Sequence, residues 1–235
     1  MGEEGMSDDP DFHARREKVR ATLDELPGNY AEDSRGRNVF FDAVYDRANG
    51  DEAEIPWADL APKAELLSYL ETHAGEGRRA VDVACGLGDN AEAMAAHGYQ
   101  VTAFDVVEKA IEWAKKRFLN SDVTYQAADL FDPPHAWLQG FDLVHECYTL
   151  QALPEGMIEE STKAICDLVA PQGALLIYTR MRDNGAAANG PPWPLQEQHL
   201  DLPAKHGLTK LSDKRFTLKR GDRDIPHSFA IWERR

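Results

Sequence analysis

The chain has 235 residues, of which 43% are hydrophobic, so it can bury the core of one α/β domain with additional segments. Its 41 acidic and 26 basic residues give a formal net charge of −15, which argues against nucleic acid or an anionic membrane as a partner. No apolar run approaches membrane-spanning length, no signal peptide is recognisable, and the three cysteines lack zinc-ligand spacing. We therefore expect a reduced, cytoplasmic protein that needs no metal.

The N-terminal part of the chain predicts a cap of helices. Residues 1–10 are acidic and predict a flexible tail. Apolar residues at helical spacing, interrupted by breaks at Pro27-Gly28 and 50–56, predict helices over 11–26, 39–48 and 60–70. We divide the chain into this tail, a helical cap over 11–63 and a main domain over 64–235.

From residue 80 onwards, short apolar runs alternate with helical patterns. Strands are predicted at 80–84, 100–104, 123–126, 141–144 and 174–178, and helices at 90–96, 108–118 and 158–169. Such alternation is typical of βαβ units in a parallel sheet. Two further strands, 215–219 and 227–232, flank Gly221-Asp222 without a helix between them. They predict an antiparallel hairpin at the edge of the sheet.

A glycine-rich turn joins the first predicted strand to its helix. Gly86 and Gly88 allow a sharp turn and close approach of a ligand to the backbone, and the helix that follows offers free N–H groups. Asp105 ends the second strand, 105 − 88 = 17 residues after the last glycine, where a carboxylate can accept bonds from two ribose hydroxyls. Asp82 precedes the turn and predicts a cationic amino-acid group as its partner rather than a pyrophosphate. Position 91, where a dinucleotide motif has its third glycine, is Ala91.

A second acidic position follows the third predicted strand. Asp129 can accept a bond from the exocyclic amine of adenine, and Leu130 can pack against its ring. These features, together with Phe141-Asp142-Leu143-Val144 and the segment 168–174, resemble the ordered motifs of class I S-adenosylmethionine-dependent methyltransferases. The resemblance spans about residues 64–180. Ile55-Pro56-Trp57 is also similar to small-molecule members of the thiopurine and tellurite methyltransferase type.

This resemblance implies a Rossmann-like fold of seven strands, ordered 3-2-1-4-5-7-6 with strand seven antiparallel. It implies S-adenosyl-L-methionine as cofactor, S-adenosyl-L-homocysteine as product, and binding above the carboxyl ends of strands one and two. The cofactor-binding residues that it implies are Asp82, Ala84, Cys85, Gly86, Gly88, Asn90, Asp105, Val106, Ala128, Asp129, Leu130 and Glu146.

The segment after strand four supplies the candidates for catalysis. Glu146 is a candidate general base or substrate contact, and Tyr148 can place a hydroxyl or ring beside the methyl acceptor. If the strand runs far enough, alternation puts Glu146 and Tyr148 on one face and His145 on the other. Gln151 is a candidate substrate contact a few residues later.

Other acceptor-side candidates come from the cap and from the segment after strand five. Tyr45 and Trp57 can offer aromatic faces near a sulfonium. Residues 183–194 predict a lid loop in which Trp193 closes over the substrate. Arg180 and Arg182, just beyond strand five, can hold an anionic acceptor.

The combined pattern predicts in-line transfer of a methyl group to a sulfur, nitrogen or oxygen atom of a small molecule. Two alternatives stay open: a nicotinamide-dependent oxidoreductase that uses the same glycine turn, and a non-catalytic S-adenosylmethionine-binding module. The sequence leaves the choice between monomer and homodimer open.

Overall fold

The computed structural model describes residues 10–20, 22–188, 190–220 and 223–235. Of the predicted acidic tail only Pro10 is among them, and the turn between the last two strands lies outside them. The helices are α1 (Pro10–Arg20), α2 (Ser34–Ala48), α3 (Ala64–Leu70), α4 (Asp89–Ala96), α5 (Glu108–Arg117), α6 (Ile158–Asp167), α7 (Glu197–Leu200) and α8 (Leu202–Lys205). The strands are β1 (Arg79–Val83), β2 (Gln100–Asp105), β3 (Thr124–Ala127), β4 (Phe141–Cys147), β5 (Val169–Arg180), β6 (Leu208–Arg220) and β7 (Arg223–Arg234).

The strands form one sheet in the order β3-β2-β1-β4-β5-β7-β6. The pairs β2–β3, β1–β4 and β4–β5 are parallel, and β7 is antiparallel to both of its neighbours. The predicted strand order and the antiparallel seventh strand are therefore confirmed. No helix in the described part of the chain has the length and apolar character to span a membrane.

The chain divides into two compact units. The first contains the described residues up to Gly77 together with Cys85–Ala128, and therefore α1 to α5 with β2 and β3. Its α2 begins five residues before the predicted helix because the Asp33 side chain accepts a bond from Gly36 N at 2.7 Å and caps the N-terminus. The buried face of α2 includes Phe40, Val44 and Tyr45, which pack in one apolar cluster with residues from the following loop and α5.

The second unit contains Arg78–Ala84 and Asp129–Arg235. Its strand β5 begins at Val169, so the predicted break at Pro171-Gln172-Gly173 is wrong. A shift in register between β4 and β5 absorbs these residues instead. The predicted hairpin is confirmed, and both of its strands are longer than expected. Most residues of the outer strand β6 are half-buried or exposed, and the strand has no continuous apolar run from which its full length could be read.

Candidate cofactor and acceptor site

In the first unit, the glycine-rich turn is bonded to the end of β2. Cys85 N donates to Phe104 O at 2.9 Å, and Gly86 N donates to Asp105 Oδ2 at 3.1 Å. Val107 N donates to the other carboxylate oxygen of Asp105 at 3.0 Å. Asp105 is only 8% exposed. The predicted ribose-binding acid is therefore held in one orientation beside the turn by two backbone donors.

Left-handed backbone marks the turn itself. Ala84, Gly86 and Gly88 have φ angles of 51°, 53° and 91°. Gly88 is also the N-cap of α4, and its Cα faces the ring of Tyr125. Two of these three positions are glycines, which adopt left-handed φ angles without the steric cost that a Cβ atom causes.

Two aromatic residues of the cap lie over Gly86. A Cβ built on Gly86 would be 3.5 Å from Tyr45 Oη and 3.9 Å from Trp57 Nε1. Trp57 Nε1 donates to Tyr45 Oη at 3.4 Å, and the two rings meet edge to face at 6.0 Å. Burial, together with the negative charge of Asp105, raises the pKa of Tyr45 well above its ordinary value, so its phenol stays protonated. The structure therefore brings these two predicted residues to the turn.

The remaining predicted cofactor residues lie near strand ends, in loops or, for Asn90, at the start of a helix. Asn90 is in the first turn of α4, where its Oδ1 accepts from Lys63 N at 3.0 Å. Val106 follows β2 and is half-buried. Ala128 N donates to Asp105 O at 3.1 Å. In the second unit, Asp129 accepts from Phe131 N at 2.9 Å and Leu130 is buried.

In the second unit, Asp82 pairs with a histidine that sequence reasoning did not connect to it. Asp82 and His145 are register partners on β1 and β4, and Asp82 Oδ1 lies 2.7 Å from His145 Nδ1. Both side chains are almost completely buried. Among the described residues, Asp82 Oδ2 and His145 Nε2 have no hydrogen-bond partner. One oxygen of this predicted binding acid is thus buried without a hydrogen-bond partner in the described part of the chain.

Glu146, the next residue of β4, is a second buried acid. Its Oε1 accepts from Leu150 N at 3.0 Å, while Oε2 has no partner among the described residues. Burial, and next the charge of Asp82, raises the pKa of Glu146 to about 8. Near neutral pH the unliganded protein therefore carries this carboxyl group mainly in its protonated form.

Tyr148 does not follow the alternation of β4. The strand ends at Cys147, and Tyr148 has a φ of 66°. Its Oη lies 2.9 Å from His227 Nε2, on β7. Sequence reasoning did not single out His227. Its position as a polar residue at the start of a predicted apolar strand was the only signal.

Gln151 connects the ends of two segments. Its Oε1 accepts from Arg180 N at 2.7 Å and from Thr179 Oγ1 at 3.3 Å, and its main-chain oxygen accepts from Trp193 N at 2.7 Å. Arg180 is the last residue of β5 rather than a loop residue, because β5 extends beyond its predicted end. Its guanidinium lies 5.6 Å from the centre of the Tyr148 ring. The roles of Gln151, Arg180 and Trp193 in substrate binding remain predictions.

Arg182 holds the predicted lid loop. Its guanidinium donates to Pro194 O at 2.7 Å, to Ala186 O, and to Glu155 Oε2 at 2.7 Å. This side chain is thus engaged by the loop and by a neighbouring acid, which weakens the prediction that it binds an anionic acceptor.

Arg182→Ala should loosen the loop over 183–194. Removing these bonds leaves loop carbonyls to be solvated by water, which favours open conformations. We expect cleavage by elastase, which cuts after small residues such as 186–188, to become several-fold faster. Arg35→Ala, on an exposed part of α2, is the control. Equal cleavage rates for Arg182→Ala and wild type would show that Arg182 does not restrain the loop.

The strand order, the glycine-rich turn and the acid at the end of β2 define the fold of a class I methyltransferase. Residues 80–173 match the family model described as a methyltransferase domain. The chain therefore has the fold of the class I S-adenosylmethionine-dependent methyltransferases and, over residues 80–173, matches a methyltransferase domain. The fold and the matched domain both support S-adenosylmethionine as the cofactor.

Among curated proteins, the chain is 34% identical over 123 residues to a ubiquinone biosynthesis O-methyltransferase of Aromatoleum aromaticum, which covers 50% of each chain. The chain thus spans about half the length of the curated relatives it matches. One similar solved structure comes from work on the conversion of a disulfide bond into a thioacetal group during echinomycin biosynthesis. Its comparison with this chain gives a TM-score of 0.68 at 19% sequence identity. It covers 83% of this chain and 90% of that one. A S-adenosylmethionine-dependent methyltransferase from Methanosarcina mazei has a TM-score of 0.60 at 13% identity, over 71% and 96% of the two chains.

Proposed function

We propose that this protein transfers a methyl group from S-adenosylmethionine to a sulfur, nitrogen or oxygen atom of a small molecule. The observation that carries the proposal is the bond from Gly86 N to Asp105 Oδ2 at 3.1 Å. It orients a buried carboxylate at the end of a parallel strand, where nucleosides bind in open α/β sheets.

The residues present fit this cofactor. Asp105 is suited to the ribose, and Asp129 with Leu130 to the adenine. In the second unit, Asp82 Oδ2 and Glu146 Oε2 are buried and have no hydrogen-bond partner among the described residues. The Asp82 carboxylate, and Glu146 once it is ionised, are suited to a cationic ammonium group. The further residues assigned to cofactor binding are Ala84, Cys85, Gly86, Gly88, Asn90, Val106 and Ala128.

The bound cofactor supplies an electrophilic methyl group on a sulfonium, so the protein mainly has to position and desolvate the acceptor. Tyr45 and Trp57 offer aromatic faces to a cation, an interaction of roughly 0.5–2 kcal/mol. Glu146 and Tyr148 are the candidates for contact with the acceptor. Gln151, Arg180 and Trp193 are assigned to the acceptor side.

Calorimetry with S-adenosylhomocysteine, run beside NADH, tests the proposal. Micromolar binding of the first compound alone supports it. Binding of NADH alone would favour the oxidoreductase alternative, whereas cofactor binding without turnover of any acceptor would favour a binding module. The acceptor panel contains thiols, amines and phenols. Phenols are included because the curated relatives are named as O-methyltransferases.

Asp105→Ala should weaken S-adenosylhomocysteine binding by about 10- to 100-fold, because charge-assisted bonds to the ribose are lost. Asp42→Ala is the matched control, because Asp42 is an exposed acid of the same unit paired with Lys109. Calorimetry measures both affinities, and thermal unfolding checks that each variant is folded. An unchanged affinity for Asp105→Ala would remove Asp105 from the ribose site.

A further inference from the structure

A buried tyrosine and histidine share a hydrogen bond with a defined direction. Tyr148 Oη and His227 Nε2 are 2.9 Å apart, and His227 is only 1% exposed. His227 Nδ1 lies 2.8 Å from Ile225 O. A carbonyl oxygen can only accept, so Nδ1 carries the ring proton and Nε2 of the neutral ring presents its lone pair. With the ring neutral, the phenolic proton of Tyr148 therefore points at His227 Nε2.

The backbone at Tyr148 is strained in a way that serves this contact. A tyrosine with a φ of 66° is in the left-handed conformation, which is unfavourable for a residue with a Cβ atom. Tyr148 N donates to Tyr178 O at 3.0 Å, so the end of β5 stabilises the conformation. Tyr148 directly follows the carboxyl end of β4, the edge at which ligands bind in such sheets.

Aromatic neighbours fix both rings. The Tyr148 and Tyr178 rings meet edge to face at 5.3 Å, and Phe216 stacks on His227 at 5.4 Å with an interplanar angle of 24°. The Arg180 guanidinium, 5.6 Å from the Tyr148 ring centre, favours negative charge nearby. Neither ring can turn away from the other without disturbing this packing.

We propose that Tyr148 and His227 form a proton-accepting pair for a methyl acceptor whose reactive group is a hydroxyl. This inference rests on the proposed function and narrows its acceptor to one class. Because its own proton is directed at His227, Tyr148 offers oxygen lone pairs to the O–H of the acceptor. Tyr148 would be the catalytic residue, and His227, which acts through it, a positioning residue.

The proton balance closes within these groups. The acceptor oxygen keeps the electron pair of its O–H bond, and its proton passes to Tyr148 Oη. The original phenolic proton passes to His227 Nε2. The imidazolium that results has one N–H on Ile225 O and one on Tyr148, and it later loses its proton to water.

Several charged groups lie on the elements that pack against the pair. From β5 comes Arg180, and from β6 comes Lys214, whose Nζ lies 5.8 Å from the Phe216 ring centre. His227 also lines a cavity of about 410 Å³ in the second unit. The charged residues that line this cavity are Arg182, Asp183, Glu197 and Arg215.

The first arm of the test needs no substrate. In the full chain labelled with ¹⁵N-histidine, NMR should show His227 as the neutral Nδ1–H tautomer near pH 7. The His227 resonances are assigned as those that are missing from the spectrum of His227→Gln. Tyr148→Phe, which keeps the ring but removes the donor, should shift the Nε2 resonance. An Nε2–H tautomer, or no shift in Tyr148→Phe, would overturn the pair whether or not the protein binds S-adenosylhomocysteine.

The second arm measures methylation of a catechol, 3,4-dihydroxybenzoate, beside 2-mercaptoethanol and ethanolamine. We expect turnover of the catechol, with kcat about 100-fold lower in Tyr148→Phe and His227→Gln and KM changed less than about threefold. Gln can accept the Tyr148 hydrogen bond but cannot take its proton.

The double variant should lose no more activity than either single variant, because the two residues act as one unit. His73→Gln, in an exposed histidine that stacks on Tyr69, is the control that should keep wild-type activity. Full activity in His227→Gln, or turnover of the thiol or amine without the catechol, would overturn the inference. Failure to bind S-adenosylhomocysteine would instead contradict the proposed function.

Discussion

Glu146→Gln should gain stability relative to wild type as the pH rises from 5 to 8, because only wild type loses the contribution of the neutral Glu146 carboxyl group. Burial, followed by the charge of Asp82, raises the pKa of Glu146 to about 8 in the folded state. The bonds from the backbone N–H groups of Leu150 and Thr149 oppose this shift only in part. Ionisation is therefore easier in the unfolded chain than in the folded one.

The direction of the effect follows from linkage. A carboxyl group whose pKa is raised on folding contributes its full stability below the unfolded pKa of about 4.3. That contribution is lost as pH rises through about 8. The slope between the two values is roughly 1.4 kcal/mol per pH unit. Glutamine cannot ionise, so its variant lacks this loss.

Urea unfolding at pH 5, 6, 7 and 8 measures the prediction as the difference between the two proteins, because other titrating groups contribute equally to both. Glu160→Gln, at an exposed position in α6, is the matched control and should follow wild type at every pH. If the Glu146→Gln and wild-type stabilities stay parallel over this range, Glu146 does not carry a raised pKa.

Gly88→Ala should destabilise the protein by about 3 kcal/mol, through two effects that can be separated. A φ of 91° disfavours any residue with a Cβ, at a cost of about 1–2 kcal/mol. The new methyl group would also lie 2.4 Å from Tyr125 Oη and 3.0 Å from Tyr125 Cζ. Tyr125 is buried and donates to Glu92 Oε1 at 2.7 Å, so it has little room to retreat.

Two further variants separate the backbone cost from the clash. Gly86 has a φ of 53°, and a Cβ built on it has no neighbouring atom closer than 3.5 Å. Gly86→Ala should therefore lower the free energy of unfolding by only about 1 kcal/mol. The double variant Gly88→Ala/Tyr125→Phe lacks Tyr125 Oη, the atom nearest to the new methyl group. Its free energy of unfolding should be about 1 kcal/mol higher than that of Gly88→Ala with Tyr125 intact. Denaturant unfolding measures all three. If Gly86→Ala and Gly88→Ala lose the same stability, the contact with Tyr125 does not contribute to the destabilisation by Gly88→Ala.

The cofactor half of the candidate site was predictable because its signals are local. A glycine turn, the helix after it and an acid at the end of the next strand follow one another in the chain, and chain order determines where they lie in a right-handed βαβ unit. Asp105 beside Gly86 is such a case. The order of the seven strands followed from the resemblance and from the missing helix between the last two.

Element lengths were less predictable. Most residues of strand β6 are half-buried or exposed, and the strand shows no apolar run. The segment at Pro171-Gln172-Gly173 is typical of a turn although it lies within β5. In both places, pairing with a neighbouring strand overrides the local preference of the residues.

The sequence by itself determined the class of fold and the position of the glycine-rich turn, while only the tertiary structure decided which distant side chains meet. Tyr148 and His227 are 79 residues apart, and Asp82 and His145 are 63 apart. Asp82 and His145 meet because they are register partners on the neighbouring strands β1 and β4. Tyr148, which follows β4, meets His227 on β7 although β5 lies between these strands in the sheet. No spacing within any one segment encodes either meeting. The environment that raises the pKa of Glu146 likewise arises only when the surrounding strands and loops exclude water.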